Sequence, residues 1–599
     1  MPFNRIATRG LLLAACCTMM PVVPTQAQAV TDSSAGTPLI EQAVPGDRAS
    51  DWLAQGRSTG VARHGMVATS QPMAAEAGLE ILRQCGNAID AAIATAASMN
   101  VVEPESAGIG GDTLALVWLA KERKLIALNS SGHSGSLATL EAFRKQGLER
   151  VPSRGALSVT VPGAVDGWDA LLKRAGTMNF SQVLAPAIRI AEEGYPLTER
   201  IHADFQQTIN TLKEDPEASR LYLVDGKVPP TYHILRNPDL AKAFRLIADG
   251  GRDAFYKGPI ADAIIARLQA LGGHLTKADL DATHYRWETP ISTNYKGYDV
   301  FELQPNTQGF AVLEMLNIIE VCGPRLGADP AKLGPRSPDY WHLMVEAKKL
   351  AYADLHKYNG DPDFNPVPVE RLISKEYAAG LCASIDMKKA RPAPPVEMPN
   401  NGTVYLTTAD SEGNMVSFIY SIFAEFGSGI VVPGYGFVLN DRAAQFSLNP
   451  SSPNVIAPKK RPFHTLIPGF IMKDGRPMTS FGLMGGAQQA QGHAQVVVNM
   501  VDFGANVQGA SDAARFAHSQ QRDTLELESQ LYQLVGPELA ARGHQVRSGN
   551  GAGMGGYQAI EFKPEVPGTL PGPEKPGGPL NGAYVGGSDH RKDGAAVGW

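Results

Sequence analysis

The chain has 599 residues, 43% hydrophobic and 19% charged, the balance of an ordinary globular protein with room for a large core. A net charge of −6 gives no electrostatic footprint for nucleic acid, and no later stretch reaches the roughly 18 uninterrupted apolar residues that a membrane span requires. The substrate is therefore expected among small molecules or peptides.

Residues 1–29 have the layout of a cleaved secretory signal: Arg5 and Arg9, an apolar run from Leu11 to Val23, then Ala27-Gln28-Ala29. A periplasmic or secreted protein is expected. The rival reading, lipid anchoring at Cys16 in Leu13-Ala14-Ala15-Cys16, is disfavoured because Arg9 leaves too short an apolar run before that cysteine. Gly56-Arg57-Ser58-Thr59-Gly60 matches the GxSxG nucleophile elbow in form, but neither a buried strand nor a helix flanks it, so it reads as a solvated loop.

Residues 73–100 predict two packed helices broken at Gly86-Asn87. Gly108-Ile109-Gly110-Gly111-Asp112 follows; a strand-like run after it argues for a tight interlayer turn rather than a phosphate cradle. The pattern then predicts a hairpin over 115–128 around Lys121-Glu122-Arg123-Lys124, helices through most of 155–225 and 237–270, and a Pro-rich loop over 389–402. Beyond it come strands at 403–422, 430–439 and 467–482, the last turning at Lys473-Asp474-Gly475, helices at 488–500 and 507–517, and a Pro/Gly surface insertion at 564–579. Helical layers around two strand-rich regions suggest a layered α/β or α+β protein.

Cys85, Cys322 and Cys382 remain after the leader, too few and too scattered for a disulfide framework, and are expected as buried free thiols. His133, His464, His493, His544 and His590 stand apart without metal-ligand spacing, so no metal and no cofactor is expected.

Thr403 opens its strand directly after Asn400-Asn401-Gly402. A Thr there is ordinarily just a good β-former. A cut before it would give Thr403 a free α-amine beside its own hydroxyl, a self-contained nucleophile and base. Gly402 has no side chain to obstruct that hydroxyl from its carbonyl, so the same group could make the cut.

From about residue 61 onward the chain resembles the γ-glutamyltransferases (glutathione hydrolases), self-processing N-terminal-nucleophile hydrolases. The resemblance rests on VVEPESAGIGGD at 101–112, SVTVPGAVDGW at 158–168, LAPAIRIAEEGYPL at 184–197, TVYLTTADSEGNMVS at 403–417, FGSGI at 426–430, LMGG at 483–486 and GGSDHRKDG at 586–594. It implies an α+β, four-layer αββα fold and a precursor cut between Gly402 and Thr403 into subunits of 30–402 and 403–599. Thr403 would be the nucleophile and its α-amine the base. Gly485 and Gly486 amides would form the oxyanion hole, Ser421 would support the hydroxyl, and an acyl-Thr403 intermediate would pass to water or an amine.

The substrate pocket departs from the family pattern. Ser131 stands where the family has an Arg for the γ-glutamyl head, with His133 the nearest substitute, and Phe423 replaces an Asn. Arg442 and Gln445 replace a Gln and an Asp, and of a Ser-Ser pair only Thr465 keeps a hydroxyl, beside His464. The loop over the site shrinks to LNPSSPNVIAPK between Phe446-Ser447 and Lys460-Arg461-Pro462, resembling the lidless, cephalosporin-acylase-like branch, which favours hydrolysis over transfer. The expected activity is cleavage of γ-glutamyl amides such as glutathione. The alternatives are a glutaryl- or cephalosporin-type acylase using the same nucleophile and, in another class, an unprocessed binding protein.

Overall fold

The computed structural model describes residues 55–393, 402–549, 551–573, 575 and 577–599. The expected leader, Cys16 and most of the Pro-rich loop before Gly402 lie outside them. Among the described residues no helix is long and apolar enough to cross a membrane.

Strand alternation builds the centre. In Val404–Ala409 and Met415–Ser421 every residue is buried, but alternate side chains enter different cores. Val404, Leu406, Val416, Phe418 and Tyr420 face a helical layer that includes the helices Pro72–Arg83 and Ala88–Val102. Tyr405, Ala409, Met415 and Ile419 face a second sheet, meeting Phe470, Met484, Ile560 and Phe562. The outer face of that second sheet, with Ile471, Phe481, Leu483 and Tyr557, packs on Gly309–Arg325, Pro338–Tyr358 and Gln488–Val501. Three apolar cores between helix, sheet, sheet and helix make the four-layer α+β architecture expected.

The first sheet runs in the order 595–598, 66–69, 404–409, 415–421, 112–119, 124–130 and 286–288. The second runs 60–62, 582–588, 556–564, 476–484, 469–473, 298–302 and 291–295. Strands from both sides of Gly402 therefore interleave in each sheet. The hairpin after Thr403 is closed by Asp410, whose carboxylate accepts from the amides of Glu412 and Asn414 at 3.0 Å each. The same carboxylate accepts from Ala88 N at 2.8 Å, tying the hairpin to the start of a buried helix.

The predicted helical pair, the hairpin around Arg123 and the turn at Asp474-Gly475 are present. Three expectations change. The segment 430–439 folds back on itself, Val431 bridging Val438, because Pro433 and the positive-φ Gly434 (73°) and Gly436 (65°) reverse the chain; at its end Leu439 bridges Gly110. The helix predicted over 507–517 stops at Asp512, and Phe516–Ser519 joins a three-stranded sheet. Cys322 and Cys382 form a disulfide, joining two helical segments 60 residues apart, and Cys85, past the end of its helix, is exposed. Helix packing brought together two cysteines that sequence spacing left apart.

Closing a 60-residue loop constrains the unfolded chain. Replacing Cys322 and Cys382 together by Ser is expected to lower unfolding free energy by about 2–4 kcal/mol. Denaturant titration checks this, with Cys85→Ser as a control that leaves the midpoint in place.

Candidate active site

Strand register carries three predicted site residues, and Asp112 with them, into one row. Val404 pairs with Tyr420, so Thr403 lies opposite Ser421; Ser421 pairs with Asp112; and because Thr113 pairs with Ser130, Asp112 lies opposite Ser131. Directly opposed residues of an antiparallel pair share a face. Thr403, Ser421, Asp112 and Ser131 accordingly line up across four strands on the face turned to the second sheet. Gly111 permits this close packing: a Cβ there would lie 2.2 Å from the Ser421 carbonyl oxygen.

At one end of the row Thr403, 2% exposed, donates its hydroxyl to the Gly402 carbonyl oxygen at 2.6 Å. Ser421 Oγ donates to the same oxygen at 3.1 Å, lies 3.4 Å from Thr403 Oγ1 and accepts from Phe423 N at 2.8 Å. The Gly402 carbonyl is thus held between two hydroxyls, one of them on the residue that follows it. Such an arrangement polarises the carbonyl and presents an oxygen nucleophile to it.

The second sheet brings Gly485 and Gly486 to the same level. Thr407 Oγ1 meets Ser480 Oγ at 2.5 Å, and the Tyr405 ring lies over Gly482. One further step of this alternation carries Thr403 to Met484, just before the two glycines. Gly485 (φ 118°) and Gly486 (φ 59°) turn the chain from strand into the helix Gln488–Val501 in conformations that favour glycine. Gln308 Nε2 fixes the turn by donating to Gly486 O (3.0 Å) and Thr465 O (2.6 Å). Among the described residues, neither glycine amide donates to a protein acceptor.

Asp112, which reads in the sequence only as the end of a turn, organises the middle. Its Oδ1 accepts from Gly132 N (2.8 Å) and Gly163 N (3.2 Å). Its Oδ2 lies 3.0 Å from His464 Nε2 and 3.7 Å from Arg442 Nε. His464 Nδ1 accepts from Leu466 N at 3.2 Å, so Nε2 carries the proton and donates to Asp112. Burial, reinforced by Arg442, pushes the His464 pKa down to about 4 and keeps the ring neutral. Arg442 is fully buried; its Nη1 donates to Thr465 Oγ1 (3.0 Å) and its guanidinium lies 4.7 Å over the Phe423 ring. Burial lowers the Arg442 pKa to about 10 against the opposing pull of Asp112 and Asp441. Arg442 Nη2 and Gln445 Nε2 have no hydrogen-bond partner among the described residues.

Ser131, at the far end, donates to Asn129 Oδ1 at 2.8 Å, and its carbonyl accepts from Arg461 Nε at 3.0 Å. His133 does not join the row. Its Nδ1 bonds to the Ser134 carbonyl at 2.9 Å, its own carbonyl accepts from Val161 N, and burial lowers its pKa. The short loop of 447–459 is a compact turn with Ser447 bridging Val455, and Ser134 N donates to Lys460 O just beyond it. Ser58 is exposed on a loop whose Arg57 donates to Ser588 O, as expected of a chance GxSxG match. His544, expected to stand apart, is hydrogen-bonded to His342 (2.8 Å) and lies near Glu346, with Lys349 inserted between them; every ring nitrogen there already has a partner. Sequence reasoning missed Asp112, Gln308 and Asn440, whose side chain accepts from Arg442 N (3.1 Å) and donates to Gly110 O (2.8 Å), as determinants of the site. A buried-strand Asp directly after two glycines was the available signal for the first.

The family model described as Gamma-glutamyltranspeptidase matches residues 74–599. The glutathione hydrolase-like YwrD proenzyme of Bacillus subtilis (strain 168) is 34% identical over 547 residues, covering 89% of this chain and 98% of the relative. Acylase ACY 1 proenzyme of Pseudomonas sp. (strain SE83) is 35% identical over 543 residues, covering 88% and 95%. The solved structure of cephalosporin acylase from Bacillus halodurans superimposes with a TM-score of 0.82 at 39% identity, covering 91% of this chain and 97% of that one.

Two outcomes follow from the buried charges. Asp112→Ala leaves Arg442 without its counter-ion in the interior and is expected to cost about 3–5 kcal/mol in chemical denaturation. His464 is neutral when folded and has an ordinary pKa near 6.5 when unfolded, so its contribution is present above pH 6.5 and is lost as pH falls towards about 4. That contribution is about 3 kcal/mol, and His464→Gln is expected to flatten the stability–pH curve over this window.

Proposed function

The chain belongs to the gamma-glutamyltranspeptidase family, and from that premise we propose that it is a self-processing amidohydrolase whose nucleophile is Thr403. Its four layers are the N-terminal-nucleophile hydrolase fold. The observation that carries the proposal is the placement of two hydroxyls, Thr403 at 2.6 Å and Ser421 at 3.1 Å, on the Gly402 carbonyl oxygen. Attack by Thr403 Oγ1 on that carbonyl carbon divides the chain into a large subunit, 30–402, and a small one, 403–599. Relatives named as proenzymes support such processing.

In the processed enzyme the Thr403 α-amine takes the hydroxyl proton as Oγ1 adds to the amide carbonyl of the substrate. The oxyanion is received by the amides of Gly485 and Gly486, with Ser421 holding the nucleophile. The amine leaves, and water releases the acyl group. A γ-glutamyl amide such as glutathione is the first substrate class, supported by the glutathione hydrolase-like relative. A glutaryl- or cephalosporin-type acyl amide is the second, supported by a specific observation: Arg442, bonded to Thr465 through Nη1, has an Nη2 without a hydrogen-bond partner among the described residues, while Ser131 supplies no cation. The short 447–459 loop favours hydrolysis over transfer. Export behind a cleaved leader accords with the Cys322–Cys382 bridge, since disulfides persist in oxidising compartments.

Wild-type protein is expected to run as two fragments on a denaturing gel, the smaller beginning TVYLTTAD, while Thr403→Ala stays whole. An intact wild-type chain would instead favour the non-catalytic binding reading. Ser421→Ala is expected to retain the fold and lose about 10- to 100-fold in processing rate. On the processed enzyme, γ-glutamyl and glutaryl p-nitroanilides compared side by side assign the acyl group; equal or faster glutaryl cleavage rules out γ-glutamyl specificity.

A further inference from the structure

Gly402 has a second neighbour besides the two hydroxyls. A Cβ built on it would lie 3.2 Å from Glu425 Cγ and 3.2 Å from Ser106 Oγ, so the Glu425 side chain packs directly on the residue to be cut. The loop that carries Glu425 is pinned on both sides. Ile422 N donates to Ser106 O (3.3 Å), Phe426 N donates to Glu105 O (2.7 Å), and Arg154 Nη1 donates to the carbonyls of Glu425 and Gly427 at 2.8 Å each. Phe423 (φ 82°) and Phe426 (φ 57°) sit in left-handed backbone on either side. This tightly held, strained loop packs the Glu425 side chain against Gly402, and among the described residues nothing donates a hydrogen bond to its carboxylate.

Self-cleavage has a chemical requirement that catalysis by the finished enzyme does not. Before the cut Thr403 has no free α-amine, so the base of the processed enzyme does not yet exist. The two hydroxyls on the Gly402 carbonyl are donors and poor bases. Another group must receive the Thr403 proton and return it to the departing nitrogen.

We propose that Glu425 is this proton shuttle, a catalytic residue of self-cleavage; the proposal rests on Thr403 being the nucleophile. The Glu425 carboxylate takes the Thr403 hydroxyl proton, directly or through one water, as Oγ1 bonds to the Gly402 carbonyl carbon. The resulting carboxylic acid gives the proton to the Thr403 nitrogen as the C–N bond breaks. The products are a Gly402–Thr403 ester and a neutral α-amine. One water then hydrolyses the ester, leaving the Gly402 carboxylate and the Thr403 hydroxyl.

The surroundings suit a group that both accepts and returns a proton. Asp204 of the helix Glu199–Glu214, Lys592 of the C-terminal segment and Arg154 face Glu425, and Glu105 and Glu103 share the same interior region. Burial and then Asp204 push the Glu425 pKa above the ordinary carboxylate value, with Lys592 and Arg154 pulling it back. Ionised Glu425 is the active form, so processing is expected to slow as pH falls through that raised pKa.

The test follows conversion of freshly translated full-length chain into two fragments, by denaturing gel, across pH 4.5 to 9. Wild type is expected to show an acid limb. Glu425→Gln is expected to process about 100-fold more slowly, in keeping with the usual size of general acid–base effects, and without the limb; Glu425→Asp restores part of the rate together with the limb. Lys592→Met, which removes a cation facing Glu425, is expected to move the limb to higher pH. Glu425→Gln processing within threefold of wild type, or slowly with the limb retained, overturns the proposal. Where thermal unfolding shows Glu425→Gln to be misfolded, an unmoved limb in Lys592→Met overturns it instead. Thr403→Ala run in parallel separates the two ideas, because a chain still cut there refutes the nucleophile rather than the shuttle.

Discussion

The pairing register among Val404–Ala409, Met415–Ser421 and Asp112–Leu119 is the constraint on which the rest of the molecule depends. Side-chain direction alternates along a strand, so a slip of one residue would send Thr403 into the helical core and bring Val404 to the intersheet face. The register is fixed from both faces at once. Val404, Leu406, Val416 and Phe418 are held by the helices, and Tyr405, Met415 and Ile419 by the opposing sheet. Asp410 closes the hairpin and binds the start of a helix with the same carboxylate. A large apolar core is thereby coupled to the placement of a single hydroxyl.

Charge burial at the site obeys a second constraint. Arg442, Asp112 and His464 lie within a few residues of the intersheet core, where an isolated ion would be costly. Asp112 meets this with two backbone amides, an imidazole N–H and the nearby guanidinium, and His464 stays neutral. The network is polar and nearly closed; Arg442 Nη2, and Gln445 Nε2 three residues on, have no hydrogen-bond partner among the described residues, and both residues depart from the family pattern. Unpaired donors in an otherwise satisfied interior are where a polar substrate gains most, because its own acceptors replace missing partners.

Much of this was legible in the sequence because the relevant signals are local. Alternation in TVYLTTA marked a strand, Ser411-Glu412-Gly413-Asn414 marked its turn, and Gly402-Thr403 marked a junction that an ordinary hairpin does not need. What was not legible depends on approach between distant segments. Cys322 and Cys382 are joined by helix packing, Leu439 bridges Gly110 some 330 residues earlier, and His544 found His342 some 200 residues away. Asp112 escaped notice for the same reason: its partners come from 132, 163, 442 and 464, and no spacing rule connects those numbers. Ser131 and His133 show the limit most plainly, since two residues apart one joins the row with Thr403, Ser421 and Asp112 and the other bonds the Ser134 carbonyl.

The same topology would make the proposed cut before Thr403 compatible with stability. Segments before and after Gly402 alternate in both sheets: 66–69 pairs with 404–409 and 595–598, and 298–302 pairs with 469–473. Each apolar core is built from residues on both sides of the junction. Breaking one peptide bond at the mouth of a strand therefore removes none of the contacts that hold the layers together. It adds an amine at Thr403 and a carboxylate at Gly402, and the second of these appears beside Glu425 and in the neighbourhood of Asp204 and Glu105. That carboxylate would meet both signs of charge, since Lys592 and Arg154 face the same region as Asp204 and Glu425, so the balance of the new charges is set by this mixed cluster and the Thr403 amine together.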